Sequence, residues 1–154
     1  MTNQEILRIA MAQSARDLSA DASDFEKSEN VVVTSRESDG ARRYLKLPFS
    51  CQLVSYGNNV VASVSPEFRE IAENYVNKYP VEHLFETPHL HVLNEALVAK
   101  GQKICFMAEY FLPDVDMLRP LDCSYELRIP GCVWNATPRS LSPLERNIGF
   151  WTQA

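Results

Sequence analysis

At 154 residues the chain has the length of one globular domain able to bury a core of its own. Hydrophobic residues make up 45% and charged residues 23%, an ordinary balance for a water-soluble domain, with a formal net charge of -5. That acidic balance, without any run of Lys and Arg, argues against duplex nucleic acid as a partner, and no apolar run reaches the roughly 20 residues of a membrane span. The N-terminal MTNQEILRIAMAQS lacks the basic start and apolar core of a signal peptide, so a cytoplasmic location is expected. Cys51, Cys105, Cys123 and Cys132 are far apart with no CxxC, which predicts reduced thiols rather than a disulfide or metal framework.

Thr2 to Glu5 has capping-box spacing, and Ile6, Ile9 and Ala10 then mark a helical face, with Leu7 and Met11 beside it. A second short helix is predicted over 22–27, packing Phe25. The β-branched run Val31-Val32-Val33 predicts a strand over 30–35, and the polar stretch 36–43, ending in Arg42-Arg43, reads as a connection. Ser50–Ser55 and Val60–Val64 flank Gly57-Asn58-Asn59 and predict a hairpin. Val60–Val64 is apolar on both faces, as a strand covered on two sides must be.

Ser65-Pro66 supplies a helix cap and a first helical proline, and Phe68, Ile71, Ala72, Tyr75, Val76 and Tyr79 follow at helical spacing until Pro80. Thr87-Pro88 repeats the start signal for a helix lined by Leu90, Leu93, Ala96 and Leu97 and stopped at Gly101. Gln102–Leu112 has the strongest strand pattern of the chain: Ile104, Phe106, Ala108, Tyr110 and Leu112 alternate with Cys105, Met107, Glu109 and Phe111. A central strand is expected there, joined to Val60–Val64 by a two-helix crossover. Asp114–Asp122 has linker character, Tyr125–Ile129 reads as a short strand interrupted by Pro130-Gly131, and Ser142–Glu145 is the one later helix signal. The sequon Asn135-Ala136-Thr137 carries weight only in a secreted chain.

Glu109 is the single acid within the strongest strand pattern, which makes it a candidate general base if buried and a solvent-facing carboxylate otherwise. His83, His89 and His91 cluster with Glu86 in HLFETPHLH and are the candidate metal ligands. With Pro88 opening a helix, however, His89 and His91 diverge by roughly 200° around its axis, so surface or structural roles are the expected ones. No P-loop, GxSxG, HExxH or GxGxxG is present.

The runs FSCQLVSYGNNVVASVSPEF, HLFETPHLHVLNEAL and GQKICFMAEYFLPD resemble the N-terminal region of bacterial two-part proteins of the GNAT acyltransferase superfamily, over about residues 1–129. The resemblance implies that Leu121–Ile129 leads into an acetyl-CoA-binding domain, whose Arg/Gln-x-x-Gly-x-Gly/Ala loop this chain lacks. It implies a chain inactive by itself, with acetyl-CoA needed only in the missing domain and no cofactor here. The strand–turn–helix order at Val64–Arg69 is that of the superfamily's cofactor site, so the region reads as a degenerate GNAT-like half. Its chemistry does not follow, because Pro66 has no amide hydrogen, Glu67 adds a negative charge and only Arg69 would favour an anion.

The expected fold is α/β, or α+β, with a mixed sheet of about five strands flanked by about four helices. Residues 1–120 form the expected N-terminal domain, and 121–154 the start of a truncated second domain or an irregular tail. The function expected is the N-terminal part of a GNAT-type acyltransferase, with a stand-alone small-molecule-binding or dimerisation domain as the alternative. The partners expected are a second copy or the missing GNAT domain.

Overall fold

In the computed structural model, the described residues are 1–42 and 48–118, together with the strands Leu127–Ile129 and Cys132–Trp134. The chain divides into two compact units, Gln4–Leu112 and a second made of Met1–Asn3 with Pro113–Ala154.

The larger unit is an α/β arrangement around a three-stranded mixed sheet of β1 (Val31–Thr34), β2 (Cys51–Ser55) and β3 (Val60–Val64), ordered β1-β3-β2. β3 lies in the middle, parallel to β1 and antiparallel to β2, with Ala62 opposite both Val32 and Leu53. Its five residues are all buried, as its two-faced apolar sequence requires. One face, carrying Val60, Val32, Cys51 and Leu53, packs against a cluster containing Phe68, Tyr75, Val76, Leu93 and Leu97. The other face, carrying Val61, Val31 and Val54, packs against Met11, Ala15, Leu18 and Phe25. The sheet is therefore the middle of three layers. Helix α1 (Asn3–Leu18) contributes to one side, and α2 (Arg69–Val76) and α3 (Thr87–Val98) to the other.

Several local expectations are corrected. The buried stripe of α1 is Met11, Ser14, Ala15 and Leu18, with Leu7 beside it, whereas Ile9 is exposed. Apolar residues of the first turns lie around more of the helix than one face, and the spacing Leu7, Met11, Ser14, Ala15 and Leu18 is the stripe that meets the sheet. The segment after β3 begins as a 3-10 turn over Pro66–Phe68 before α2, and Ser65 occupies the cap position without a side-chain capping bond. α2 ends at Val76, short of Pro80, yet Tyr79 still packs on the same cluster. Glu86, not Thr87, is the N-cap residue of α3. At the far end Gly101 has φ +77 and receives the chain into a left-handed stop. Its N–H donates to Val98 O and the Gln102 N–H donates to Leu97 O, the paired bonds of a Schellman motif.

The hairpin turn is tied down from outside. Gly57 takes φ +98, while the Asn59 side-chain amide donates to Asp24 O at 2.7 Å and Glu29 O at 2.8 Å. These bonds join the β2–β3 turn to the short 3-10 turn Ala22–Glu26, where Phe25 meets the Tyr56 ring edge-on at 5.1 Å.

The largest correction concerns 102–112. No residue of it belongs to a strand, and most are exposed. The expected five-stranded sheet is accordingly three-stranded, and the predicted crossover from β3 does not form: the parallel pair is β1 and β3, with β2 between them in sequence. Three α-helices, rather than four, are found among the described residues.

In the second unit, Asn3 accepts from the Val115 N–H at 2.8 Å and donates to Asp114 Oδ1 at 2.7 Å, which fixes the turn Val115–Met117. The short strands β4 (Leu127–Ile129) and β5 (Cys132–Trp134) pair antiparallel, with Ile129 opposite Cys132. The start of the predicted strand at Tyr125, the helix signal Ser142–Glu145, the sequon at Asn135, Cys123 and Arg43 lie outside the described residues.

Candidate functional site: an apolar cavity beside the edge strand

β2 is an edge of the three-stranded sheet, and beyond it runs the extended segment 102–110. Between them, floored by α3, lies a cavity of about 500 Å³. Phe49, Cys51 and Leu53 line it from the sheet side, Leu90, Leu93 and Leu97 from α3, and Ile104, Phe106, Ala108 and Tyr110 from the segment. Burial pushes the Cys51 thiol up to about 11, so at neutral pH it is an uncharged apolar wall and not a nucleophile.

The outer wall is held at separate points rather than by a ladder of backbone bonds. The Schellman turn at Gly101 sets its start, and the Ile104 N–H then donates to Asn94 Oδ1 at 2.9 Å. Further along, the Phe106 ring meets Phe49 edge-on at 5.7 Å, and the Arg42 guanidinium stands 5.5 Å above the Tyr110 ring. Arg42 is itself fixed by Asp17, whose carboxylate is fully buried on α1. The Arg42 backbone N–H donates to Asp17 Oδ1 at 2.8 Å, the side-chain Nε donates to Oδ2, and Gln13 adds a bond at 3.1 Å. Charge pairing and hydrogen bonding together make that burial tolerable.

The electrostatics of the cavity are one-sided. Among the described residues no Asp or Glu lines it, and Lys103 is the one charged side chain that does. Lys103 is exposed and engages in no ion pair among the described residues, whereas Lys100, three residues earlier, donates to Glu67 O at 3.1 Å.

The sequence candidates lie elsewhere or do something else. His83 Nδ1 pairs with Glu86 Oε1 at 2.8 Å, and the Glu86 carboxylate next to it raises the His83 pKa above its ordinary value. His89 Nδ1 meets His83 O at 2.8 Å, and its ring packs 4.2 Å from that of Tyr79. His91 points away and pairs with Glu95 at 3.3 Å, as its place two residues along a helix demands. No group of three metal-ligating side chains is found among the described residues. Glu109 is exposed, on the extended segment and outside any strand.

The strand-to-helix junction has little left to offer an anion. The Phe68 N–H donates to Ser65 O, the Arg69 N–H donates to Pro66 O, and the Arg69 guanidinium bonds Val32 O at 3.1 Å and Glu73 at 2.8 Å.

The chain matches no family model, no curated protein and no solved structure. The site must therefore be read from its own residues. Sequence reasoning missed the cavity because its walls come from three separated stretches. The one signal for it was the apolar alternation over 104–110, which fits a strand and a cavity wall equally well.

Proposed function

We propose that this chain is a cytoplasmic small-molecule-binding domain whose ligand occupies the apolar cavity between β2, α3 and residues 102–110. The observation that carries the reading is the cavity itself. At about 500 Å³ it falls in the size range of ligand sites, and its lining is mostly apolar with a few polar groups, which is the usual make-up of such a site. Protein interiors are close-packed, so an apolar space of this size beside the half-buried edge strand β2 is more than imperfect packing of side chains would leave.

The test is to fill the space. Ala108 lines the cavity from its exposed wall, so Ala108→Trp should occlude it with little damage to the core. An apolar fluorescent probe should brighten on the unaltered protein and lose most of that signal with Ala108→Trp. Equal brightening of both proteins would place the probe on the exposed surface and remove the support for this reading.

One observation favours a second reading. Phe106, Met107, Tyr110, Phe111 and Leu112 form an exposed apolar run beside a sheet edge, a surface suited to pairing two copies. Sedimentation across a concentration series tests it: a dimer lost on Phe111→Asp would support it, and a monomer at high concentration would not. A role as the N-terminal part of a GNAT-type acyltransferase rests on the sequence resemblance, and calorimetry with acetyl-CoA bears on it. On that reading the chain alone gives no heat.

A further inference from the structure

We propose that the cavity is built for a monoanionic amphiphile: an apolar tail, aliphatic or aromatic, that ends in a carboxylate held by Lys103. The inference rests on the cavity being a ligand site and adds the ligand's chemistry. Its inner walls are supplied by Leu53, Leu93, Leu97 and Ile104, none of which offers a hydrogen bond from its side chain. Lys103 differs from them in being the charged residue, among the described ones, of the exposed outer wall along which the cavity meets water.

Charge selects the headgroup. A cationic ligand would meet Lys103 with no compensating acid in the lining among the described residues. A neutral ligand would gain nothing from that ammonium group. A carboxylate would find an opposite charge that no ion pair among the described residues occupies, while its tail displaces water from apolar walls. Among the described residues the neighbouring cations are engaged elsewhere, Lys100 with Glu67 O and Arg42 with Asp17, so of these the assignment falls on Lys103. The position is also set by the fold: two residues after Gly101, the side chain leaves a chain direction fixed by the Schellman bonds and by Asn94. The ammonium is a single point charge, which one carboxylate neutralises without leaving excess charge against the apolar walls.

The experiment compares octanoate with 1-octanol, which have the same tail and different heads, by calorimetry on the whole chain and on Lys103→Met and Lys103→Arg. The expected result is octanoate binding about tenfold tighter than octanol to the unaltered protein. That preference should disappear in Lys103→Met with octanol binding unchanged, persist in Lys103→Arg, and shrink in about 0.5 M salt. Equal affinity for the two compounds, or a preference that survives Lys103→Met, would overturn the assignment of the headgroup while leaving the apolar site in place. Failure of both compounds to bind at millimolar concentration would overturn the cavity as a ligand site, and the headgroup with it.

Discussion

Two stretches of this chain carry apolar residues on both faces, and they end in opposite states. Val60–Val64 is wholly buried at the centre of the sheet, whereas Gln102–Leu112, longer and richer in aromatics, belongs to no strand and leaves Phe111 87% exposed. The difference lies in what each stretch has beside it. β3 has a parallel partner on one side, an antiparallel partner on the other, and apolar cover above and below. The segment 102–112 has contacts at Asn94, Phe49 and Arg42 but no ladder. Alternation of apolar side chains makes a strand possible. A neighbour that takes up its backbone hydrogen bonds makes it real.

The comparison can be broken most forcefully at the core. Phe25 packs in the cluster beneath β3, and Phe25→Ala should cost about 3–5 kcal/mol in urea denaturation, against a change within about 0.5 kcal/mol for Phe111→Ser. Similar costs for the two would mean that 102–112 is part of the core. The next effect concerns the fastening of the cavity wall. Asp17→Ala removes the buried acceptor of Arg42 and should cost about 3 kcal/mol. It should also speed amide exchange around Tyr110, because the cation above that ring loses its support. Unchanged exchange there would show that the wall does not depend on Arg42.

The smallest effect lies at the surface pair His83–Glu86. The His83 pKa is raised in the folded state, so the pair favours folding below the ordinary histidine value near 6.5, and that contribution fades as pH rises through the folded value. Replacing His83 with Gln should slightly flatten the urea midpoint between roughly pH 6 and 8 and leave probe binding in the cavity untouched. A change in probe binding would connect the histidine cluster to the cavity, contrary to the separation described above.

Much of the fold was legible in the sequence. The two-faced pattern of Val60–Val64, the Gly57 turn, the apolar faces of α2 and α3, and the stop at Gly101 each follow from local chemistry that tertiary packing reinforces. The divergence of His89 and His91 followed from helical geometry alone. What was not legible depends on distant partners. Asp17, buried in a helix, gives no hint of Arg42, twenty-five residues on, until the loop folds back. Pairing could not be read at 102–112 for the same reason, since it depends on how the folded chain spaces that segment from the edge of β2.

The central claim is that 102–112 walls a cavity instead of completing the sheet, and site-resolved hydrogen exchange tests it most directly. In the free protein, the amides of Val60–Val64 should be protected to the level of global unfolding. Those of Cys105–Phe111 should exchange within a small factor of the unprotected rate. Protection of Cys105–Phe111 equal to that of β3 would make the segment a fourth strand, close the cavity, and contradict the account.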